Sequence, residues 1–349
     1  MKNILKYLIF SLIFSVFMFG RIPFVYADNT TCEIVIDQES GRVLFSNNEK
    51  VKRGMASTTK VLTCITAIEH YDLNKRIKIK KEWTGIEGSS IYLKEGEEFT
   101  VKELLYALML RSGNDVAVTL ASALTGKAED FVALMNQTAL NIGAYDSSFK
   151  NPHGLDEDGH YTTAYDLALI TRYALNNPTF CDIVNTKKVT IGQGESVRLL
   201  INKNKMLSQY QYATGVKTGY TKKTGRCLVS SADKNGHKLI CVVLNCGPMY
   251  ERSIDLFEKS YELYDRVLVL DKERAVGSLT YKNKPEIPVY VKNDIFYPLT
   301  KEEQACLEIK LIPYKNLEIS SKFAEECGTI EIFLKKQLLF REKIYTIIE

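Results

Sequence analysis

The apolar residues of this 349-residue chain change their repeat along its length, and that segregation restricts the fold more than any other feature. Cys32 to Ile36 alternates, Gln38 to Gly41 reads as a turn, and Arg42 to Phe45 returns, which predicts an opening hairpin. From about Ser57 the spacing becomes helical, with Val61, Leu62, Ile65 and Ile68 on one face. Thr100 and Glu103 form a capping-box pair that opens a helix through Leu110. Further helices are expected from Asn114 to Leu124, from Ala128 to Ile142 and from Thr163 to Leu175. After Lys188 strands take over. Asp233-Lys234-Asn235-Gly236 is a tight-turn signal between Leu228–Ala232 and Lys238–Leu244, and Arg252 to Tyr264 reads as a closing helix. Beyond about Asp271, Ile287–Val291, Cys306–Leu311 and Ile330–Leu334 alternate between turn residues, as in a separate small β domain. Helices in one block and strands in others make this an α+β chain.

The first 27 residues carry a different message. Lys2 and Lys6 precede an apolar run from Tyr7 to Phe19, and Val25-Tyr26-Ala27 is a small-x-small exit, so residues 1–27 are expected to be a cleaved secretory signal. The run is shorter than the roughly 20 residues a membrane helix needs. The protein is therefore expected outside the bacterial cytoplasmic membrane, in the cell-wall space. The formal charge of +4 misleads, because Lys2, Lys6 and Arg21 fall in that leader and leave 43 basic against 42 acidic residues. A near-neutral mature chain is no candidate for nucleic-acid binding. All eight cysteines, Cys32 to Cys327, lie in the mature part. None forms C-x-x-C, and both disulfides and free buried thiols are open readings. The four histidines are scattered with no H-E-x-x-H, so no metal and no cofactor is expected.

Three short strings carry the chemistry. In Ser57-Thr58-Thr59-Lys60 the serine and lysine stand one helical turn apart and share a face. A serine hydroxyl needs a base to become a nucleophile. A lysine can be that base when it is neutral, which burial and a nearby cation such as Lys217 favour. By itself the string is equally a helix start with a capping serine. Ser112-Gly113-Asn114 lies between two helices, at a turn that Gly113 permits. Its hydroxyl can relay a proton to a leaving amine, and the Asn114 amide can hold a peptide carbonyl. Lys217-Thr218-Gly219 sits on an expected strand, where an extended peptide can pair with the backbone while Lys217 and Thr218 bind a terminal carboxylate. Gly219 leaves room for it. Lys223-Thr224-Gly225 repeats the string six residues later, but at a hairpin turn, so the first copy is favoured.

These residues, in this order, resemble the low-molecular-mass penicillin-binding proteins that act as serine D-alanyl-D-alanine carboxypeptidases. The resemblance extends to Asn151-Pro152-His153-Gly154-Leu155, Thr163-Ala164-Tyr165-Asp166-Leu167 and Asn202-Lys203-Asn204-Lys205, and spans about Cys32 to Tyr264. It implies the penicillin-binding-protein/β-lactamase-like transpeptidase fold, an antiparallel sheet flanked by helices with a helical subdomain. A catalytic domain at 28–270 and an all-β C-terminal domain at 271–349 follow from it. Ser57 would form the acyl-enzyme with Lys60 as base, and Ser112 and Asn114 would assist. Lys217 and Thr218 would hold the D-alanine carboxylate. The backbone N–H groups of Ser57 and Tyr220 would form the oxyanion hole. Arg252 stands where the family often has a carboxylate-supporting arginine; it is equally a surface arginine at a helix start. The substrates implied are peptidoglycan stem peptides ending in D-Ala-D-Ala, with β-lactam antibiotics as covalent inhibitors. Many relatives end in a basic amphipathic helix that lies on the membrane. Here Ile330 to Glu349 alternates around Lys335-Lys336-Gln337 like a hairpin, so the sequence gives no support to membrane association by that route.

Two other readings share the strings. A class A β-lactamase also needs a glutamate that activates the deacylating water. The interval before Lys217 carries Asn151-Pro152-His153-Gly154-Leu155 instead, and the extra β domain argues against a lactamase. A non-catalytic wall-binding protein could keep the fold, but intact Ser57, Lys60 and Lys217 speak against decay of the site.

Overall fold

A computed structural model of the chain describes residues 30–280, 286–314 and 325–346; the expected leader at 1–27 lies outside them. The opening hairpin forms from β1 (Cys32–Asp37) and β2 (Val43–Asn47). A 3-10 turn at Ala56–Thr59 then leads into helix α1 (Lys60–His70). A two-stranded ribbon, β3 (Arg76–Lys78) with β4 (Glu98–Thr100), brackets a long loop. The capping box at Thr100 and Glu103 is made in both directions and opens α2 (Val101–Tyr106). That helix does not run on as α-helix to Leu110: residues Ala107–Arg111 widen into a π turn. Next come α3 (Asn114–Thr125), α4 (Ala128–Ile142) and α5 (Ala164–Ala174), close to their expected limits. Helix α6 (Pro178–Asn185) went unpredicted, although Asn177 caps it and Pro178 fills its first turn.

A second ribbon, β5 (Lys188–Ile191) with β6 (Arg198–Ile201), precedes β7 (Ala213–Thr221), β8 (Gly225–Lys234) and β9 (His237–Leu244). The central antiparallel sheet runs β2-β1-β9-β8-β7, so the two ends of the helical block meet in one sheet and β7 lies at its edge. One face, with Ile34, Val229 and Val242, packs on the helical block. The other, with Val35, Leu228, Cys241 and Val243, is covered by α7 (Met249–Leu263), whose Leu256 and Phe257 are buried against it.

Strand β10 (Asp265–Leu270) leaves the central sheet and pairs with β13 (Ile295–Leu299). By hydrogen bonding, the β-rich part therefore begins about six residues before the expected 271. β11 (Gly277–Leu279), β12 (Ile287–Tyr290), β14 (Leu307–Pro313), β15 (Glu325–Leu334) and β16 (Gln337–Thr346) form its main sheet. The expected terminal hairpin is β15–β16, turning at Lys335 and Lys336, both with positive φ. Cys327, Ile330, Ile332 and Ile344 give this sheet its own core. Among the described residues no disulfide is formed. Among the described residues no helix is long and apolar enough to cross a membrane.

The turn between β1 and β2 joins the two parts. Arg42 donates to the Pro298 carbonyl at 2.5 Å and to Glu303 at 2.6 Å. Its guanidinium lies 5.1 Å from the Tyr264 ring centroid and 5.4 Å from that of Tyr297. Arg266 reaches back to Glu39 at 2.9 Å. We expect Arg42→Ala to cost about 1.5–3 kcal/mol, because Glu303 and the Pro298 carbonyl lose a charged donor. Urea denaturation should show the loss, and limited proteolysis should open the chain near Tyr264.

Candidate active site

Ser57 belongs to the 3-10 turn and Lys60 is the first residue of α1, so the expected one-turn spacing holds although the helix starts three residues late. Lys60 is fully buried. Its Nζ contacts the His153 carbonyl at 2.5 Å, Asn114 Oδ1 at 2.7 Å and Ser57 Oγ at 3.0 Å. The first two partners can only accept. A neutral amine has two N–H groups for them and one lone pair, and that lone pair is left for the serine hydroxyl. Burial is the largest cause holding Lys60 well below its ordinary value, followed by the positive charge of Lys217. The charge of Asp115 opposes this, ranking after burial and Lys217. Its carboxylate already takes Ser90 Oγ at 2.6 Å and the backbone N–H groups of Val116 at 3.0 Å and Leu93 at 3.1 Å.

Two glycines bring the backbone against the nucleophile turn. A Cβ on Gly219 would lie 2.9 Å from the Met55 carbonyl and 3.1 Å from the Ser57 nitrogen. The space it leaves is thus filled by the turn itself, and β7 is held beside Ser57. On the opposite side, Gly154 has φ of +89°, and a Cβ there would be 2.0 Å from the Ala56 carbonyl. Ala56 itself is left-handed, with φ of 48°. Thr59 donates to the Ala56 carbonyl at 2.8 Å. His160 Nδ1 accepts from the Lys150 N–H, which leaves Nε2 to donate to Thr59 Oγ1 at 3.0 Å. Burial pushes His160 down to about 4 and His153 to about 3, so both rings are neutral at pH 7.

The Ser112-Gly113-Asn114 turn is made differently from expectation. Gly113 has φ of −58°, and Ser112 is the left-handed residue, with φ of 64°. Gly113 is there for space, since a Cβ would meet Val116 Cγ2 at 2.7 Å. Ser112 is buried, and among the described residues its hydroxyl has no hydrogen-bond partner within the protein. Asn114 is tied on both sides of its amide: Oδ1 takes Lys60, and Nδ2 donates to the Glu87 carbonyl at 2.6 Å. One Nδ2 hydrogen remains for a ligand.

Lys217 lies on β7 facing the helical block, in register with Val229. It is buried, donates to the Thr218 carbonyl at 2.9 Å, and is pushed down to about 7 by burial and then by the Lys203 charge. Thr218 and Tyr220 face the opposite side. Lys203 escaped the sequence reading as a site residue. It donates to Ser89 Oγ at 3.3 Å, and its charge acts on both buried lysines. Its signal was the Asn202–Lys205 block quoted above.

Two candidates do not join this group. Arg252 grips Glu33 with Nε at 2.7 Å and an Nη at 2.8 Å, and its other Nη takes Asp255 at 2.8 Å. Glu33 is on β1, three strands or roughly 14 Å from β7, so Arg252 is turned away from the nucleophile. The second K-T-G forms the β7–β8 turn. Its Thr224 is buried and donates to Asp156 Oδ1 at 2.8 Å, while Lys223 is exposed.

A family model described as D-alanyl-D-alanine carboxypeptidase matches residues 27–247. The chain belongs to that family. It is a serine-type D-Ala-D-Ala carboxypeptidase, with a second match at residues 264–347 to the C-terminal domain of penicillin-binding protein 5. It is 29% identical over 309 residues to the D-alanyl-D-alanine carboxypeptidase DacF of Bacillus subtilis, covering 85% of this chain and 79% of that one. It is 34% identical over 248 residues to DacB2 of Mycobacterium tuberculosis, covering 70% and 84%. Penicillin-binding protein 5 of Haemophilus influenzae shares the fold, with a TM-score of 0.74 at 22% identity over 91% of this chain and 96% of that one.

We expect Lys217→Ala to lower kcat/KM of this carboxypeptidase about ten- to a hundredfold, the usual effect of losing a charge-assisted contact. Lys223→Ala removes the same side chain from an exposed turn and should change it less than about threefold. Peptide hydrolysis by the two variants checks the choice of strand.

Proposed function

We propose that Ser57 Oγ attacks the carbonyl between the two terminal D-alanines of a peptidoglycan stem peptide and forms an acyl-enzyme. What carries this reading is the lone pair of Lys60, left over by two obligate acceptors and facing the Ser57 hydroxyl at 3.0 Å. As the Oγ–C bond forms, the hydroxyl proton passes to Lys60 Nζ. The tetrahedral oxyanion takes the N–H groups of Ser57 and Tyr220, a pairing supported by the contact of Gly219 with the Ser57 nitrogen. The buried Ser112 hydroxyl hands its proton to the departing D-alanine amine as the C–N bond breaks and takes the proton held by Lys60 in exchange, so that Lys60 is neutral again. Water then attacks the ester, Lys60 takes its proton, and that proton passes to Ser57 Oγ as the ester C–O bond breaks and Ser57 is freed. The remaining Asn114 N–H holds a backbone carbonyl of the peptide. Lys217 and Thr218 take the terminal carboxylate.

A β-lactam presents an acyl group and a carboxylate in the same arrangement, so penicillin acylates Ser57. Arg252 supports the carboxylate only if its fork leaves Glu33, and we assign it instead to holding α7 on β1. The enzyme works outside the cytoplasmic membrane, where its substrate is; 1–27 is its secretion signal. We draw the catalytic domain from 28 to about 264, with the β-rich domain after it.

Mass spectrometry after penicillin exposure should place one adduct on Ser57, and none should form in Ser57→Ala. A retained adduct would move the nucleophile elsewhere. The two lysines also set a pH profile. Acid protonates Lys60 and removes the base; alkali above about 7 discharges Lys217 in the free enzyme and removes the cation that meets the carboxylate. kcat/KM should be bell-shaped, and Lys217→Arg, which stays charged, should lose the alkaline limb.

A further inference from the structure

We propose that Arg226 receives the terminal carboxylate of the substrate beside Thr218, an assignment that rests on the acyl-enzyme reading above. Arg226 stands opposite Tyr220 in the β7–β8 register, and Thr218 stands opposite Leu228. Alternation puts Arg226, Tyr220 and Thr218 on one face of the hairpin. Arg226 and Thr218 are diagonal neighbours, roughly 7–8 Å apart at the backbone, well within the reach of an arginine. The strand residue between Thr218 and Tyr220 is Gly219, whose backbone touches the Ser57 turn. The guanidinium is thus anchored one residue pair beyond the nucleophile.

Its surroundings leave it ready for an anion. Arg226 is exposed; its carbonyl accepts from the Cys246 N–H at 2.8 Å, but among the described residues its guanidinium makes no hydrogen bond and no ion pair. The guanidinium lies 5.8 Å from the Tyr220 ring centroid, so the ring steadies it and leaves its N–H fork free. Its charge reaches Tyr250, whose hydroxyl stands 3.5 Å from the Lys203 carbonyl on the far wall. Tyr250 thus lies near both the Arg226 charge and the Lys203 backbone. Arg252, by contrast, already has both carboxylate partners its fork can take. A carboxylate arriving at Thr218 meets Arg226 as the unengaged fork on that face, and a bidentate pair suits it.

The test uses the full mature chain and second-order acylation rates with benzylpenicillin and with its methyl ester, which lacks the charge. Arg226→Gln should lower the rate with the acid about ten- to a hundredfold and leave the ester within about threefold, so that the acid-over-ester preference collapses. Arg226→Lys keeps the charge but not the fork, and should retain part of the preference. If Arg226→Gln fails to give a folded protein by its melting curve, Arg226→Lys decides alone, by a several-fold fall in preference. An unchanged preference in either folded variant, with the adduct still on Ser57, overturns this assignment and leaves the acyl-enzyme reading standing. A wild-type chain that takes no adduct on Ser57 overturns both.

Discussion

An amine with no acid to pair with is sealed inside this protein, and the site is organised around that fact. Moving an ammonium into the interior costs several kcal/mol even after relaxation, and a paired carboxylate is the usual remedy. Here the carboxylate at hand, Asp115, is already satisfied by Ser90 and by backbone N–H groups of the loop it anchors. A second buried lysine stands nearby instead, and it raises the cost of charging the first. Burial and the nearby Lys217 hold Lys60 well below its ordinary value, and the fold offers it two carbonyl-type acceptors and a hydroxyl and, among the described residues, no ion-paired carboxylate.

That arrangement needs backbone at very close range on both sides of Ser57. Gly219 lets β7 lie on the nucleophile turn, and Gly154 lets the 151–155 loop lie under it, where the His153 carbonyl meets Lys60. The Asn151 side chain accepts the Gly154 N–H at 2.7 Å and fixes the loop's shape. The left-handed Ala56 is held in place by this crowding, its carbonyl facing Gly154 and accepting from Thr59. Strain of this kind persists where surrounding contacts over-determine it.

Much of this was legible because it is local. S-x-x-K keeps its face whether the turn is 3-10 or α, the Thr100 capping box is a four-residue signal, and the Asn235-Gly236 turn sets the β8–β9 register. The failures are of longer range. Gly113 was credited with the left-handed turn that Ser112 makes, because φ there follows from packing against Val116. Arg252 is drawn to Glu33, 219 residues earlier, a pairing that no spacing rule contains. Asp265–Leu270 falls within the catalytic domain by sequence, because its pairing with Ile295–Leu299 spans a separation that no local signal contains. Lys203 was visible only as part of a block, since its influence on Lys60 and Lys217 depends on three distant segments meeting.

The charge of the whole chain says nothing of this groove. A mature protein close to neutral concentrates Lys60, Lys203, Lys217 and Arg226 around one strand edge; Lys217 and Lys203 lower the proton affinity of buried Lys60, Lys203 lowers that of buried Lys217, and Lys203 is itself lowered by burial and by Arg111. An empty groove of this kind is short of negative charge. In the proposed reaction the substrate's carboxylate supplies it, and so raises the proton affinity of Lys217, the lysine assigned to it. The same carboxylate lies one residue farther along the peptide from the bond to be cut, so it satisfies the binding cation without reaching the base. Selectivity for a free peptide end and the neutrality of Lys60 are then two consequences of one charge distribution, divided between a lysine that needs the substrate's anion and a lysine that must be kept from it.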